Sequence, residues 1–336
     1  MPKPFADVTT RTQVERLRAL AGAALPIWGL PDANLRLLNH GYNTTFEVRT
    51  TDGRRYALRV NTQPHKTEAQ LRAEVAWLAA LSAETDLRVP TPLPTLEGDL
   101  KATVFSPDHG RDLPVVVFGW LDGPNLGARP RVRQLRAVGA AAATLHQHAR
   151  TWTMPSGAEL PPFDNVLTDI PNRLGGHPAL TREASELFTA AYHRAQALQD
   201  EAFVADRVIV LHADLHGENL KWHDGRLSVF DFDDAGTGVP SLDLAIAAYY
   251  LRDDHALEAA LWDGYADVAE PPKVTPEQFD GMVAGRNLLL VNDFIEQPNA
   301  AFRAMMPTFI ENSMLRQRQW LQTGRWRRHV PGVRTL

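Results

Sequence analysis

The sequence predicts an α+β protein of two lobes, a small N-terminal lobe built on an antiparallel sheet and a larger, mainly helical C-terminal lobe. Strand patterns dominate the first part of the chain and helical spacing dominates the rest. At 336 residues, the chain also exceeds the usual size of one hydrophobic core. We place the lobes at residues 1–119 and 120–336, because the turn Asp122-Gly123-Pro124 follows the last apolar run of the first part.

Composition and charge exclude several classes of protein. The 44% hydrophobic and 22% charged residues are ordinary globular values, and a net charge of −5 gives no electrostatic reason to expect a nucleic-acid partner. The chain contains no cysteine, so it can form neither a disulfide nor a thiolate metal site. No signal-peptide core and no apolar run of membrane length occurs. We expect a cytoplasmic protein without a membrane partner; no pattern indicates an oligomeric state.

Three short strands are predicted in the first lobe, around Leu35 to Leu37, Phe46 to Val48 and Tyr56 to Val60. The short connections, one of them the turn Asp52-Gly53, make an antiparallel meander the expected arrangement. Apolar runs at residues 102–105 and 115–121 predict further strands.

A helix is predicted directly after the third strand. Thr67 and Gln70 have the spacing of a capping box, and apolar residues continue at helical intervals, so the helix should run from about Glu68 to Ser82. Glu74 is expected on its polar face.

The second lobe should be mainly helical. Its pattern predicts helices around residues 135–145, 184–203, 278–295 and 302–321, a strand at 208–211 and a hairpin at 220–232 that turns at Asp224-Gly225. Ser241 is expected to cap a further helix, where Asp243 in the first turn would suit the helix dipole.

The segment from Leu211 to Asp234 carries the most chemistry. Asp214, Asn219 and Asp231 lie in a loop or at strand ends, and oxygen ligands of this kind are what Mg²⁺ prefers. Transfer of the γ-phosphoryl group of ATP needs a carboxylate that accepts or orients the hydroxyl proton, together with such ligands. This constellation predicts a phosphotransferase.

The same residues resemble a known family. His212 to Asn219 fits the H-x-D-x-x-x-x-N catalytic loop, and Asp231-Phe232-Asp233 lies where protein kinases have Asp-Phe-Gly. The sequence is most similar to the aminoglycoside phosphotransferase and choline kinase-like family, near its homoserine kinase type II and stress-response Ser/Thr kinase branch. The resemblance implies a protein kinase-like fold that uses ATP and Mg²⁺. It makes Asp214 the catalytic base, Asn219 and Asp231 the metal ligands, and His216 a phosphate or substrate contact.

The first lobe offers matching nucleotide-binding candidates. Arg59 on the third strand lies where kinases have a phosphate-binding lysine, and Glu74 is its expected ion-pair partner. Asn43 belongs to the loop expected to cover the phosphates, and Phe118 and Trp120 to the linker expected to meet adenine. No Gly-Lys dipeptide occurs, which excludes a Walker A loop.

Two other functions remain open at this stage. His212, Asp214, His216 and Asp231 could together hold a metal ion in a hydrolase. A nucleotide-binding pseudokinase is disfavoured, because all three kinase-like polar residues are present.

The acceptor is expected to be a small hydroxylated molecule, such as an amino alcohol, homoserine, an aminoglycoside or a sugar. The acidic residues Asp231, Asp233 and Asp234 could receive an amino group. A protein Ser/Thr acceptor is the alternative, disfavoured because no Ala-Pro-Glu element follows Asp231.

Overall fold

The computed structural model describes residues 3–63, 66–168, 170–296 and 300–335. The chain divides into two compact units, of which the first comprises Met1–Asp122 and Met154–Glu159 and the second Gly123–Thr153 and Leu160–Leu336. The short return segment was not predicted; the Glu159 N–H donates to the carbonyl of Ala69, 3.3 Å away. Among the described residues, no helix has the length and apolar character needed to cross a membrane.

The first unit is built on one antiparallel sheet of five strands in the order β1-β2-β3-β5-β4. Its elements are α1 (Thr10–Ala24), β1 (Asn34–His40), β2 (Thr44–Arg49), β3 (Arg55–Val60), α2 (Glu68–Glu84), β4 (Ala102–Ser106) and β5 (Arg111–Gly119). The predicted meander is therefore present.

The core of the first unit lies between the sheet and α1. Phe46 and Leu58 project from the sheet and Leu17 and Ala21 from α1, and all four are buried. Because side chains alternate along a strand, Arg59 projects from the opposite face of β3. Helix α1 was not predicted, although its buried residues recur at helical spacing and Thr9 caps its start.

Helix α2 begins as its capping box predicts, with the Thr67 side chain accepting from the Gln70 N–H and the Gln70 side chain from the Thr67 N–H. The expectation of a polar face at Glu74 was wrong. Only 1% of Glu74 is exposed, because the side chain points towards β3 and meets Arg59 there.

Glu47 on β2 is a second buried carboxylate in the first unit. It lies 2.6 Å from Arg36, 3.1 Å from Arg49 and 2.7 Å from Arg55. Burial alone would raise the pKa of Glu47, but hydrogen bonds from the three guanidinium groups outweigh it and lower the pKa to about 2. The cluster joins three neighbouring strands on one sheet face.

The second unit holds the remaining elements. They are α3 (Val132–Thr151), α4 (Arg182–Ala205), β6 (Ile209–Leu211), β7 (Leu220–His223), β8 (Arg226–Val229), β9 (Gly236–Gly238), α5 (Pro240–Tyr249), α6 (His255–Ala266), α7 (Pro276–Phe294) and α8 (Ala300–Thr323). Strands β7 and β8 form the predicted hairpin, and β6 pairs with β9, which was not predicted.

The predicted cap of α5 was wrong. The helix begins at Pro240 after Val239, without a side-chain cap, and the Ser241 hydroxyl is buried with no hydrogen-bond partner among the described residues. Proline suits this position because the first N–H of a helix needs no partner within it.

Helices α3 and α6 cross at very close range through two glycines. A Cβ atom at Gly139 would lie 1.9 Å from the carbonyl oxygen of Leu261, and one at Gly264 would lie 1.9 Å from that of Arg136. The crossing therefore requires glycine at both positions. It also fixes α3, which carries the buried His146.

We predict that Glu47→Gln destabilises the protein by about 2 kcal/mol at pH 7, because three arginines lose a buried charged acceptor. A lowered native pKa contributes stability that is fully present above the unfolded pKa of about 4.5 and is lost as the pH falls towards 2. Urea unfolding of wild type and variant from pH 7 to pH 3 should show a converging difference. Glu15→Gln, at an exposed pair with Arg11, is the matched control and should change little. A difference independent of pH would contradict the assignment.

We predict that Gly139→Ala destabilises the protein by about 2 kcal/mol or more, because the added methyl group overlaps the Leu261 carbonyl. Gly22→Ala in α1 is the control, since the nearest atom to its new Cβ, on Leu35, is 4.0 Å away. Alanine there should stabilise slightly through helix propensity. Equal unfolding midpoints for the two variants would rule out the tight crossing.

Candidate active site

Asp214 lies in the loop after β6, and its carboxylate receives donors on both oxygens. Oδ2 accepts from the Asn219 amide nitrogen at 2.7 Å and from His216 Nε2 at 3.1 Å. His216 Nδ1 accepts the Glu218 N–H, so Nε2 carries the ring proton. Oδ1 accepts from Arg286 Nη2 at 2.5 Å.

The charge environment keeps Asp214 ionised. Burial would raise the pKa of Asp214, but the hydrogen bond from His216 and the charge of Arg286 lower it to about 2. With 13% of the side chain exposed, the group is reachable from solvent. It can therefore stay charged at neutral pH and orient a hydroxyl group by accepting its hydrogen bond.

A buried carboxylate on α5 holds this loop in place. Asp243 is fully buried and accepts the Ala213 N–H on Oδ1 at 2.6 Å and the His212 N–H on Oδ2 at 3.1 Å. His146 Nε2 lies 3.0 Å from the same Oδ2, and its Nδ1 bonds to Tyr265. From the sequence, Asp243 was expected only to suit the helix dipole, and its hydrogen bonds to His212 and Ala213 were not predicted.

Two residues of the site have left-handed backbone conformations that are unusual without glycine. Ala213 has φ 64° and Asp231 has φ 67°. Such conformations cost free energy and persist only where the surroundings impose them. At Ala213 the hydrogen bond to Asp243 does this, and it turns the chain so that Asp214 follows a buried strand end.

Gly217 is required by a close backbone approach. A Cβ atom there would lie 2.0 Å from the carbonyl oxygen of Gly127, and the Gly127 N–H donates to Gly217. Gly217 is the first residue of the turn Gly217–Asn219, so this contact sets the position of Asn219 at the end of the turn.

The residues present fit the expected divalent metal ion. Both hydrogen bonds that Asn219 makes to Asp214 use its Nδ2 atom, which leaves the amide oxygen Oδ1 to face a ligand. Asp231 is exposed and supplies a carboxylate at the end of the β7–β8 hairpin. Both are hard oxygen donors of the type that Mg²⁺ prefers.

The hydrolase alternative conflicts with the geometry. His212 donates from Nε2 to the Phe230 carbonyl and accepts the Asp214 N–H on Nδ1, so neither ring nitrogen is available to a metal. Burial lowers the pKa of His212, which keeps the ring neutral. Among the described residues, no group of three or more His, Cys, Asp or Glu side chains is placed to hold a metal ion.

In the first unit, Arg59 and Glu74 form the predicted ion pair. Arg59 Nη2 donates to Glu74 Oε1 at 2.6 Å, with 8% and 0% of the side chains exposed. Lys66 Nζ lies 3.4 Å from the other Glu74 oxygen, a contact that the sequence did not suggest. The guanidinium of Arg59 also lies 5.3 Å from the Phe118 ring centre. These contacts fix the direction of Arg59.

The remaining nucleotide candidates lie in the β1–β2 loop, on β5 and directly after β5. Asn43 closes the β1–β2 loop, where its carbonyl accepts the Gly41 N–H at 3.0 Å. Phe118 is buried on β5, and Trp120 stacks 3.9 Å from the Arg55 guanidinium and donates to Asp122. Their roles towards a nucleotide, and that of His216, stay predictions.

Three residues of the site were missed: Asp243, His146 and Arg286. Asp243 had a signal in the sequence, since it is an acid within the otherwise apolar helix Pro240–Tyr249. His146 and Arg286 lie on α3 and α7, far along the chain from Asp214, and only folding brings them to the loop.

Known proteins share this architecture. A structure of a microcompartment-associated aminopropanol kinase superposes with a TM-score of 0.72 at 23% identity, covering 93% of this chain and all of that one. A structure of the amicoumacin kinase hAmiN in complex with AMP-PNP, Ca²⁺ and Ami gives a TM-score of 0.74 at 17% identity, covering 91% and 96%. At these identities the similarity shows the protein kinase-like fold alone.

Sequence comparison identifies the family. An uncharacterized protein of Deinococcus radiodurans is 30% identical over 289 residues, which cover 80% of this chain and 82% of that protein. The model of the phosphotransferase enzyme family matches residues 34–276, a range that includes the sheet of the first unit and the loop around Asp214. The chain therefore belongs to the phosphotransferase enzyme family.

Proposed function

We propose that this phosphotransferase moves the γ-phosphoryl group of MgATP to a hydroxyl group of a small molecule. The observation that carries the proposal is the arrangement of Asp214 and Asn219. One amide orients the carboxylate through its nitrogen and keeps its oxygen for a metal ion. Phosphoryl transfer requires both a carboxylate that orients the substrate hydroxyl and an adjacent metal ligand.

Each residue has one role in the proposal. Asp214 accepts the hydrogen bond of the acceptor hydroxyl and orients its oxygen for attack. Asn219 and Asp231 hold Mg²⁺, which neutralises phosphate charge when bound. Arg59, oriented by Glu74, binds phosphate oxygens with a forked cation where kinases use lysine.

Asp214 acts mainly by position. A carboxylate with a pKa of about 2 is a weak base, so the hydroxyl proton is hardly transferred to it before the phosphorus–oxygen bond forms. In a loose transition state the proton leaves late, and orientation matters more than basicity. The hydrogen bonds from Asn219 and His216 supply that orientation.

A small acceptor is favoured over a protein serine or threonine. The structures similar to this chain include an aminopropanol kinase and an amicoumacin kinase, and both names denote small-molecule acceptors. Phosphorylation of a general protein substrate, with no turnover of hydroxylated metabolites, would reverse this preference.

We predict that MgATP raises the thermal unfolding midpoint of the protein, because a ligand that binds only the folded state stabilises it by mass action. The measurement uses ATP and Mg²⁺ separately and together, and the shift should be largest when both are present. A shift with Zn²⁺ or Mn²⁺ alone and none with nucleotide would refute the proposal.

We predict different defects for Asp214→Asn and Asp231→Asn. The first should lower kcat by about 100-fold or more while MgATP still binds, because it removes the carboxylate that accepts the hydrogen bond of the substrate hydroxyl. The second should raise the KM for MgATP by about tenfold or more, because it weakens a metal ligand. Asp224→Asn, in the exposed hairpin turn at φ 49°, is the control and should retain activity. Equal loss of nucleotide binding in both site variants would contradict the assigned roles.

A further inference from the structure

Beyond its effect on the charge of Asp214, Arg286 has no role towards the acceptor in the proposed reaction. The residue projects from α7, and its Nη2 atom lies 2.5 Å from Asp214 Oδ1 and 3.3 Å from the Tyr250 hydroxyl. Only 12% of its side chain is exposed. A cation in this position is the immediate neighbour of any group that binds to the same carboxylate oxygen.

The occupancy of the carboxylate restricts where an acceptor hydroxyl can bind. Oδ2 already accepts from Asn219 and His216, which fills its two lone pairs. Oδ1 has one donor, Arg286, and room for one more. The acceptor hydroxyl therefore shares Oδ1 with the guanidinium. Two donors at one oxygen lie about 4 Å apart, so a substituent two to four bonds from the hydroxyl reaches Arg286.

Arg286 also has unused hydrogen-bonding capacity. Its Nε atom is buried and has no acceptor among the described residues. Nε and Nη2 form the edge of the guanidinium that binds carboxylates with two parallel hydrogen bonds. A buried donor without an acceptor is destabilising, and a bound oxyanion would satisfy it.

The frame around Arg286 is rigid. The next residue, Asn287, is fully buried and donates to the Tyr249 hydroxyl and to Ser313 on α8. The Tyr250 ring lies 5.0 Å from the His216 ring, so the two aromatic groups flank Arg286 and Asp214. Residues fixed in this way can discriminate between ligands that differ in shape and charge.

We propose that Arg286 determines acceptor specificity by binding an anionic group, a carboxylate close to the hydroxyl that is phosphorylated. The inference rests on the proposed function and names the class of acceptor: a short hydroxy acid or hydroxy amino acid. Without acceptor, Arg286 Nη2 donates to Asp214 and to the Tyr250 hydroxyl. With acceptor, Nη2 keeps its bond to Asp214 and exchanges the longer one to Tyr250 for the carboxylate, which Nε binds in parallel.

The test compares acceptors that differ only by a carboxylate. Three matched pairs are serine with ethanolamine, homoserine with 3-aminopropan-1-ol, and threonine with 1-aminopropan-2-ol. ADP release is measured for the full-length wild type, Arg286→Gln, Arg286→Lys and Arg182→Gln. Arg182, with 92% of its side chain exposed on α4, is the matched control for the loss of one positive charge.

We expect kcat/KM for at least one acid to exceed that of its decarboxylated partner by about 100-fold in wild type, the range typical of a buried charge pair. Arg286→Gln should abolish the preference mainly through the KM of the acid and leave the KM of MgATP unchanged. Arg286→Lys should retain part of it, because lysine keeps the charge without the fork. Arg182→Gln should behave as wild type.

Three results would overturn the inference. One is equal or better use of the decarboxylated partners by wild type. Another is an unchanged preference for the acids in Arg286→Gln with a lower kcat for every acceptor, which would limit Arg286 to orienting Asp214. The third is the absence of turnover of every acid by protein that binds MgATP. Failure to bind or consume MgATP would remove the proposed function itself, and the thermal unfolding experiment detects that separately.

Discussion

The Asp243 carboxylate is fully buried, and it accepts the N–H groups of His212 and Ala213 while contacting His146. A buried carboxylate is tolerated only when such donors surround it, so each group depends on the others. The pairing fixes the left-handed conformation of Ala213 and, through it, the position of Asp214. Helix α3 supplies His146 from the far side, and its close crossing with α6 is part of the same support.

The carboxylates of Glu47, Glu74 and Asp214 do not all serve the same purpose. Glu47 is surrounded by three arginines of adjacent strands, which suits a structural role because every partner is satisfied. Glu74 and Asp214 each pair with an arginine and remain beside groups proposed to meet a ligand. An ion pair at a binding site holds its members in one direction before the ligand arrives, which reduces the cost of ordering them.

The candidate site residues could be named from the sequence because phosphoryl transfer demands particular side chains at short spacing along one loop. Asp214 and Asn219 are five positions apart, and the turn at Gly217–Asn219 brings them into hydrogen-bonding contact. The errors have the opposite cause. Glu74 was expected on the polar face of its helix and Ser241 as a cap, and in both cases packing against other elements buried the side chain.

By itself, the sequence determined the α+β class, the meander and hairpin, and the constellation of Asp214, Asn219 and Asp231, because turn chemistry, periodicity and motif spacing act over short stretches of chain. Only the tertiary structure decided what surrounds the carboxylate of Asp214. Arg286 arrives from α7, 72 positions later, and Asp243 and His146 support the loop from α5 and α3. Contacts between distant segments depend on helix packing, which no local pattern encodes.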